Sequence, residues 1–383
     1  MESIQPTKKR VLLLSTVHAS TDPRIAGKIA ISLSEYYEVA CALTVGEDNA
    51  WQALVEHQKT MTDCSCIATF PFFRRLWHRV LVVHPQVLWC FFKYKPHIVH
   101  IFVAELLPLV FIFQWFGAEI IYEVQENLYK KIPTKTHNKG TLYQWLFRYF
   151  DQKARKKFKF IFTEESYLNF YPYLKKPYRV IQNFAAVHWL FLPRPVPDLK
   201  MPTFFYTGVI SNERAFDTLL KALNVVKEKY PNVRLRLFGY LRIPSATLST
   251  SIDYQQVKDN LIFHGYFPQE IAFAYTKDAL AGIALLKPVG DYAESYPTKL
   301  FDYMALGLPV ITSNLPLLKA VVEPNACGFC ISPYDAEALA ACMIWCIEHP
   351  EELKTMGKNA RKAIKDTYNW KTEESKLLEI YAA

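Results

Sequence analysis

Short apolar runs alternate with segments whose apolar residues recur at helical spacing, almost throughout the chain. Near the start, the pattern predicts a buried strand in VLLLSTV, a loop in HASTDPR, a helix over residues 25–36 and a second strand in VACALTV. The alternation returns after residue 200, with strands predicted in TFFYTGV, VRLRLFG, LIFHGYF and GIALL. Strands that alternate with helices build parallel sheets, so we expect an α/β protein with doubly wound parallel sheets.

The most informative alternation lies between Gly282 and Asn314 and reads strand, polar loop, helix, strand. The helix is predicted to begin next to Pro297, which suits a first helical turn, and to end at Gly307, a common C-terminal stop. Ligands of parallel sheets bind at the carboxyl ends of the strands. We therefore expect the functional site in the loop that precedes this helix.

This loop and the first helical turn combine carboxylates with a site suited to phosphate. Glu294 precedes the helix, Thr298 and Lys299 lie in its first turn, and Asp302 follows, with seven residues between the two acids. A helix N-terminus binds phosphate, and a lysine adds a full positive charge. Without a metal, carboxylates bind hydroxyl groups well, so the combination predicts a sugar nucleotide. The alternative is a helix N-terminus with ordinary solvated polar residues.

The segment ESYPTKLFDYMALGLPVI resembles the donor-binding signature of the family 4 retaining glycosyltransferases of GT-B fold, in which Glu-x7-Glu runs from a loop onto the next helix. The resemblance implies that Glu294 contacts hydroxyls of the donor sugar. Asp302, one methylene shorter than the family's second Glu, would hold the ribose. It also implies that neighbouring residues bind the donor: Ser295, Tyr296, Pro297, Thr298 and Leu300.

Two further segments match the same family. In TFFYTGVISNERA, Gly208 ends a strand and Arg214 matches the basic residue that binds the donor diphosphate with Lys299, although Ala215 replaces a common Gly. In IIYEVQEN, Gln125 stands where relatives often have a His that faces the donor sugar. An amide cannot act as a general base. The mechanism usually proposed for the family, front-face attack with the leaving phosphate taking the acceptor's proton, does not need one.

The first loop is predicted to lie on the acceptor side. His18 and Arg24 belong to it, Thr21 or Asp22 is a candidate helix cap, and Glu126 follows a later strand. The resemblance implies that His18, Arg24 and Glu126 face the acceptor. The alternative is that Asp22 is only a cap and His18 only a loop residue. The absence of G-x-G-x-x-G after this strand weighs against a dinucleotide oxidoreductase.

The chain of 383 residues exceeds the usual size of one domain. The resemblance implies the GT-B architecture, two Rossmann-like domains facing each other across a cleft. We place the N-terminal acceptor-binding domain at residues 1–186 and the C-terminal nucleotide-sugar domain at 187–368. A final helix at 369–383 is expected to cross back to the first domain. The Pro-rich residues 193–202 are the predicted linker.

The net charge of +9 favours acidic partners: nucleotide phosphates, an anionic membrane surface or nucleic acid. Nucleic acid is not expected, because the chain lacks an RNA-binding aromatic signature, zinc-finger spacing and leucine-zipper heptads. Two basic, aromatic segments, Phe70–Lys95 and Arg148–Lys159, predict contact with an anionic membrane. The alternative for the first is a core-facing helix with a solvated basic side.

Four cysteines near the C-terminus are the only candidates for a metal site: Cys327, Cys330, Cys342 and Cys346. Their spacing fits none of the usual structural-zinc patterns, so we expect no metal and no cofactor besides the sugar nucleotide, which is a substrate. The first residues show no export signal. We therefore expect a cytoplasmic protein, peripheral on the inner face of the plasma membrane.

Together these features predict a retaining glycosyltransferase of the hexosyltransferase type. It would move a sugar from a nucleoside-diphosphate sugar to a glycan or lipid-linked acceptor, in cell-surface polysaccharide or glycoconjugate synthesis. Two alternatives stay open: a sugar-nucleotide epimerase or hydrolase on the same fold, and a non-catalytic GT-B-like binding partner.

Overall fold

The computed structural model describes residues 8–45, 65–134, 141–193 and 196–383. The chain divides into two compact units: unit 1 comprises Met1–Gln182 with Glu373–Ala383, and unit 2 comprises Asn183–Thr372. The sequence placed these transitions at residues 186/187 and 368/369. The first seven residues, on which the prediction about export partly rested, and two residues of the predicted linker lie outside the described part of the chain.

Unit 1 is built on a sheet of seven parallel strands in the order β3-β2-β1-β4-β5-β6-β7. The strands are β1 Arg10–Ala19, β2 Glu38–Thr44, β3 Ser65–Phe70, β4 Ile98–Ile101, β5 Glu119–Val124, β6 Lys159–Phe162 and β7 Tyr178–Val180. The chain order reverses between β1 and β4. In open parallel sheets this reversal opens a crevice at the carboxyl ends of the strands.

The helices of unit 1 follow the predicted alternation, with local differences. They are α1 Ile31–Ser34, α2 Leu76–His78, α3 His84–Tyr94, α4 Leu107–Trp115, α5 Leu128–Thr134 and α6 Thr141–Lys157, with the last helix, α7 Trp370–Ala382, at the C-terminus. Two π-helical segments precede α1 and α3, at Ile25–Ala30 and Arg79–Val83. Within the described ranges, no helix has the length and apolar composition needed to cross a bilayer.

Helix α7 packs on unit 1 through polar contacts at both of its ends. The Glu373 carboxylate accepts a hydrogen bond of 2.9 Å from the backbone N–H of Gln182. The Tyr381 hydroxyl lies 2.8 Å from Nδ1 of His100, which is fully buried on β4. These contacts explain why the last eleven residues belong to unit 1 rather than to the unit that precedes them in the chain.

Unit 2 contains a sheet of six parallel strands in the order β10-β9-β8-β11-β12-β13. The strands are β8 Thr203–Thr207, β9 Arg234–Phe238, β10 Leu261–Gly265, β11 Ala279–Ala284, β12 Val310–Ser313 and β13 Gly328–Ile331. The helices are α8 Phe216–Lys229, α9 Ser245–Ser249, α10 Ile252–Val257, α11 Gln269–Ala274, α12 Thr298–Leu306, α13 Pro316–Val322, α14 Ala336–Glu348 and α15 Pro350–Asp366. The order reverses between β8 and β11, which predicts the ligand site there.

The core of unit 2 has two apolar layers, one on each face of the sheet. Phe205 packs in one layer with α12, and its neighbour Phe204 packs in the other with α8 and α14, as strand alternation requires. Cys327 and Cys346 are buried in opposite layers. Among the described residues no group of His, Cys, Asp and Glu side chains is arranged to hold a metal ion. The absence of a bound metal stays a prediction.

The second basic segment predicted from the sequence, Arg148–Lys159, is not wholly a surface feature. Arg155 is buried and lies 2.6 Å from the carboxylate of Asp151. Lys159 is the first residue of β6, is buried, and lies 2.6 Å from the carboxylate of Glu119. These two residues are therefore buried in ion pairs rather than exposed. The partner of Arg155 lies one turn away on the same helix, whereas the partner of Lys159 is distant in sequence and could not be read from the segment.

The first basic segment, Phe70–Lys95, also differs from a single amphipathic helix. Phe70 is buried at the end of β3, and helical structure begins only at Leu76. The guanidinium of Arg79 donates to the Glu105 carboxylate at 2.7 Å and to the carbonyl of Phe73. Arg79 therefore holds the helix start against the loop after β4 rather than facing a partner.

Candidate functional site

Glycines follow both β8 and β9 at their carboxyl ends, and each makes room for a close neighbour. Gly208 follows β8 with φ +105°, and Gly239 follows β9 with φ +137°. A Cβ atom on Gly239 would lie 2.1 Å from the Gly208 carbonyl oxygen, and one on Gly208 would lie 2.9 Å from Nη1 of Arg214. The guanidinium of Arg214 is thus seated against bare backbone at the end of β8.

Arg214 ends a 3-10 turn, Asn212–Arg214, that leads into α8. Ala215 follows in the left-handed conformation, with φ +56°. An alanine there costs roughly 1 kcal/mol more than a glycine. The turn is tied to the loop after β11, since the backbone N–H of Lys287 donates to the Glu213 carbonyl at 2.9 Å. Arg214 therefore lies at the order reversal of the sheet, beside the loop that carries Glu294.

Tyr206 on β8 lies beneath the guanidinium. Its hydroxyl donates to the Val209 carbonyl at 2.6 Å and accepts a hydrogen bond from Arg214. Burial raises the pKa of Tyr206 to about 12, although the Arg214 charge acts in the opposite direction. The phenol therefore stays neutral and orients the guanidinium. Tyr206 was not predicted from the sequence, because an aromatic residue on a buried strand carries no chemical signal of its own.

Lys299 lies in the first turn of α12 and is buried. Its Nζ is 3.7 Å from the centroid of the Tyr206 ring and has no hydrogen-bond partner among the described residues. Burial, followed by the repulsion of Arg214, lowers the pKa of Lys299 well below its ordinary value. In the described part of the chain, neither Lys299 nor Arg214 has a carboxylate within 4 Å. A bound anion would supply the hydrogen-bond partner that this buried amine lacks among the described residues, and a counter-charge for both the amine and the neighbouring guanidinium.

The N-terminus of α12 adds backbone polarity to these two cations. Pro297 occupies the N-cap position with no side-chain hydrogen bond to the helix, and Thr298 is exposed at the first helical position. The helix is fixed against the sheet by Tyr303, whose hydroxyl accepts from the Thr207 backbone N–H at 2.7 Å. Gly282 on β11 lets the Tyr303 ring lie flat on the strand, since a Cβ there would be 2.3 Å from the ring.

The two acids predicted to bind hydroxyl groups take different positions. Glu294 ends a 3-10 turn, Tyr292–Glu294, and is half-buried in the loop before α12. Asp302 is buried on α12, and its carboxylate accepts a hydrogen bond of 3.3 Å from the side-chain amide of Gln269 on α11. The structure therefore gives Asp302 a protein partner that the sequence analysis did not identify.

Three of the residues predicted to bind donor use their side chains within unit 2. Ser295 donates to the Asp291 carbonyl at 3.0 Å, and Tyr296 packs edge-to-face on Phe301. Leu300 is fully buried, and its backbone N–H donates to the Pro297 carbonyl. The structure contradicts the prediction for Leu300, because the turn of α12 directs it into the core.

In unit 1 a buried carboxylate, Glu123 on β5, organises two of the predicted residues. Arg24 is buried; its Nε donates to Glu123 at 2.8 Å and its Nη2 to the Ile181 carbonyl at 2.8 Å. Arg24 is thus held inside unit 1 by Glu123 and Ile181, and its contact with an acceptor stays a prediction. Gln125 is half-buried, and its Nε2 donates to Glu123 at 2.7 Å.

The charge of Glu123 is set by these neighbours. Burial by itself raises the pKa of the carboxyl, but the Arg24 charge and the hydrogen bonds outweigh it, so the pKa of Glu123 lies below its usual value. His100 lies 3.6 Å away, and burial lowers its pKa to about 4. At neutral pH this cluster is therefore one Arg–Glu ion pair next to a neutral imidazole.

The remaining residues predicted on the acceptor side are accessible. His18, near the carboxyl end of β1, is half-buried, and its Nδ1 lies 2.8 Å from the Ser15 hydroxyl. Glu126 is exposed and forms a 3.2 Å ion pair with Lys131. Asp22 caps the first helical segment, since its carboxylate accepts from the backbone N–H of Ile25 at 2.9 Å. The structure thus confirms the cap.

Comparison with known proteins agrees with this arrangement. The family model for group 1 glycosyl transferases matches residues 192–363. The amylovoran biosynthesis glycosyltransferase AmsK of Erwinia amylovora is 26% identical over 175 residues, 45% of this chain and 42% of AmsK. The D-inositol 3-phosphate glycosyltransferase of Streptomyces griseus is 26% identical over 194 residues, 49% of this chain and 39% of that protein. The matched region spans less than half of each curated relative.

Two solved structures resemble nearly the whole chain. Sucrose-phosphate synthase from Thermosynechococcus elongatus aligns with a TM-score of 0.73 and 17% identity over 98% of both chains. Anabaena HepE, in complex with UDP and glucose, aligns with a TM-score of 0.70 and 15% identity over 98% of this chain and all of HepE. Both sheets, of seven and six parallel strands, agree with the predicted fold class. The chain has the GT-B fold, and its residues 192–363 match the family of group 1 glycosyl transferases.

Proposed function

We propose that this protein is a retaining, metal-independent glycosyltransferase. It transfers a sugar from a nucleoside-diphosphate sugar, held by unit 2, to a glycan or lipid-linked acceptor. The observation that carries the proposal is the buried amine of Lys299, unpartnered among the described residues, beside Arg214 at the N-terminus of α12.

Charge balance supports a diphosphate at this position. A nucleoside diphosphate leaves with more negative charge than it carries in the donor. Arg214 can contact two phosphate oxygens at once, and the Lys299 amine and the helix N-terminus add positive potential. In a partly buried site such contacts act through a low effective dielectric. Together they would stabilise the leaving group in the role that a divalent metal plays elsewhere.

The acids supply the hydroxyl-binding part of the proposal. Glu294 lies in the loop before α12 and is only half-buried, as a contact with the donor sugar requires. Asp302 lies one turn beyond Lys299 on the same helix, as a contact with the ribose requires. The Asp302 carboxylate accepts a hydrogen bond of 3.3 Å from Gln269, and an ionised carboxylate can accept several hydrogen bonds.

The catalytic step is proposed to proceed with retention and without a general base from the enzyme. Because Nε2 of Gln125 donates to Glu123, its carbonyl Oε1 is the atom left to accept a hydrogen bond from a hydroxyl group. Gln125 would therefore orient a hydroxyl without removing its proton. The proton of the acceptor hydroxyl would pass to an oxygen of the leaving diphosphate.

The acceptor class is inferred from the relatives. AmsK is named for amylovoran biosynthesis, and the Streptomyces protein for transfer to an inositol phosphate. We propose cell-surface polysaccharide or glycoconjugate synthesis in the cytoplasm for this chain. Because the aligned region covers less than half of these relatives, the donor sugar and the acceptor must be found by assay.

The test is a thermal-shift screen of the purified full chain against UDP, GDP, ADP, CMP and NAD, with and without magnesium. A ligand at a hundred times its dissociation constant stabilises the native state by about 2.7 kcal/mol. We expect a shift with one nucleoside diphosphate, unchanged by magnesium, reduced in Lys299→Met and retained in Lys362→Met, an exposed lysine of the same unit. If none of the nucleotides shifted the melting temperature, the result would contradict the proposed donor site.

Donor turnover then separates the enzyme classes. The matching sugar nucleotide is incubated with and without acceptors, and products are resolved by mass spectrometry and by the anomeric proton signals in NMR. Transfer only in the presence of an acceptor, with the donor's anomeric configuration kept, supports the proposal. Donor consumption without an acceptor would indicate the epimerase or hydrolase alternative, and nucleotide binding without turnover the non-catalytic one.

A further inference from the structure

Three helices of unit 1 form a continuous layer on one face of the seven-stranded sheet. Helix α4 lies in the middle. On one side, Phe116, just after α4, packs against Phe92 of α3, with ring centroids 5.0 Å apart. On the other side Phe111 packs against Phe158, just after α6, at 4.6 Å. All three helices bury their inner sides in the same apolar core. Their outer sides therefore make up one broad surface, which we call the α3–α4–α6 face.

This face exposes large apolar side chains. Three of the chain's eight tryptophans belong to it: Trp89, Trp115 and Trp145, each more than half exposed, with Trp115 at 86%. Trp77, in the preceding α2, is also more than half exposed. In α6, Leu142, Trp145, Leu146 and Tyr149 are exposed at the spacing of one helical side. An ordinary soluble surface scatters such residues singly, whereas a contiguous patch marks an interaction site.

The same face carries the protein's positive charge. Residues 71–95 hold five Lys and Arg and no acid, a formal charge of +5, and residues 141–158 hold five and one acid, +4. These two segments account for the whole net charge of +9, so the rest of the chain is formally neutral. Asp151, the one acid, is buried against Arg155. Exposed basic residues remain around the aromatic residues: Arg74, Arg75, Lys93, Arg148, Lys153 and Lys156.

Individual contacts link the cationic and aromatic groups. Nζ of Lys93 lies 4.4 Å from the Trp89 ring centroid, and Nζ of Lys153 lies 4.2 Å from that of Tyr149. Tryptophan and tyrosine prefer the headgroup level of a bilayer, where a ring has an apolar body and a polar edge to satisfy. Lysine next to such a ring extends its charge towards lipid phosphates while its stem stays on apolar surface.

We propose that the α3–α4–α6 face docks unit 1 on an anionic lipid bilayer, with the tryptophans at the headgroup level and the basic residues on lipid phosphates. A second copy of the chain is disfavoured as the occupant, because a symmetric dimer through this face would bring two strongly positive surfaces together. The proposal does not depend on the donor site, since all of its residues belong to unit 1. It confirms neither the acceptor nor the reaction.

The test is vesicle flotation of the full chain with phosphatidylcholine vesicles that contain or lack phosphatidylglycerol. We expect binding to the anionic vesicles only, and weaker binding as salt is raised. The double variant Lys153→Gln/Lys156→Gln should bind about 25-fold more weakly, since each basic residue near an anionic surface contributes about fivefold. Trp115→Ser/Trp145→Ser should lower binding at least tenfold even at low salt.

Matched controls lie in unit 2. Lys362→Gln removes an exposed charge and Ile252→Ser an apolar side chain that is 75% exposed, and both should bind vesicles as the parent chain does. Circular dichroism melting of every variant confirms folding. The proposal would be overturned by equal binding to neutral and anionic vesicles, or by no binding to anionic vesicles at low salt. It would also be overturned if Lys153→Gln/Lys156→Gln bound anionic vesicles as tightly as the parent chain. So would a dimer in light scattering that the tryptophan variant dissolves, because the second copy would then be the occupant.

Discussion

The side-chain amine of Lys299 lies 3.7 Å from the centroid of the Tyr206 ring, with no hydrogen-bond partner in the described part of the chain. Lys299 comes from the helix after β11 and Tyr206 from β8, so the two residues meet where the strand order of unit 2 reverses. Arg214 binds the hydroxyl of the same tyrosine. Both candidate phosphate-binding side chains thus contact Tyr206, Lys299 at the ring and Arg214 at the hydroxyl.

Replacing the buried amine separates binding from stability. Lys299→Met keeps a flexible chain and removes the group whose burial is costly, so the ligand-free protein should unfold at a higher temperature. Nucleotide affinity should fall by roughly ten- to a hundredfold, as expected for one charged hydrogen bond to phosphate. Calorimetric titration and thermal denaturation measure the two effects. Unchanged affinity in Lys299→Met would remove the lysine from the site.

Binding of a diphosphate should be coupled to proton uptake. The pKa of Lys299 is depressed in the ligand-free protein by burial and by Arg214, and a bound diphosphate would raise it again. At about pH 8, between the reference pKa values of His and Lys, uptake by Lys299 would make the binding enthalpy depend on the ionisation enthalpy of the buffer. Titrations in two buffers measure this. The same buffer dependence in Lys299→Met would assign the proton elsewhere.

Gly208 is expected to be required for the position of Arg214. In Gly208→Ala the new Cβ would lie 2.9 Å from Nη1 of the guanidinium at φ +105°. Gly117→Ala is the matched control, since φ is +90° there and no atom lies within 4 Å of the new Cβ. Both variants should lose about 1–2 kcal/mol of stability, the cost of the left-handed backbone. Only Gly208→Ala should lose nucleotide affinity; an equal loss in both would refute the link to Arg214.

The two acids should differ in what they bind. Asp302→Ala should lower the affinity for the nucleoside diphosphate itself, because the proposed contact is with the ribose. Glu294→Ala should leave the affinity for the diphosphate unchanged and lower kcat/KM with the sugar nucleotide by about a hundredfold or more, typical of a lost contact near the reacting centre. Isothermal titration and steady-state kinetics give the two quantities. The opposite pattern would exchange the two assignments.

His100 should make unit 1 sensitive to acid. Burial holds its pKa at about 4 in the folded chain, against 6.5 when unfolded, although Glu123 opposes and Arg24 adds to the shift. Between these pH values the unfolded chain binds a proton that the folded chain does not, so stability falls as pH drops from 6.5 to 4. The loss attributable to His100 is about 3 kcal/mol.

His100→Gln, which keeps a polar partner for Tyr381, tests this. The free energy of unfolding of the parent chain and the variant, measured by urea denaturation across this range, should converge as the pH falls. His97→Gln removes an imidazole at an exposed position of the same unit, and its free energy of unfolding should change with pH as that of the parent chain does. A constant difference between His100→Gln and the parent would show that His100 titrates normally.

The positions of the main elements followed from local pattern. The apolar run GIALL, residues 282–286, predicted a strand that the structure places slightly earlier, as β11 Ala279–Ala284. The helical spacing between Pro297 and Gly307 predicted α12, because neighbours in sequence determine periodicity and capping. The same holds for the alternation that predicted two parallel sheets. Glu294 and Lys299 were identified from residue type and spacing, and Arg214 from the resemblance to the family 4 glycosyltransferases. The structure brings Lys299 and Arg214 to one tyrosine.

The sequence alone thus determined the fold class, the element that carries the candidate donor site, and the segregation of positive charge into two segments of unit 1. Only the tertiary structure decided which charges are available to a ligand. Arg24 and Lys159 meet carboxylates that other elements bring to them, Leu300 turns into the core, and Lys299 meets none of the carboxylates that the structure describes. Counter-charges and burial come from residues far apart in the chain, so spacing along one segment cannot predict them.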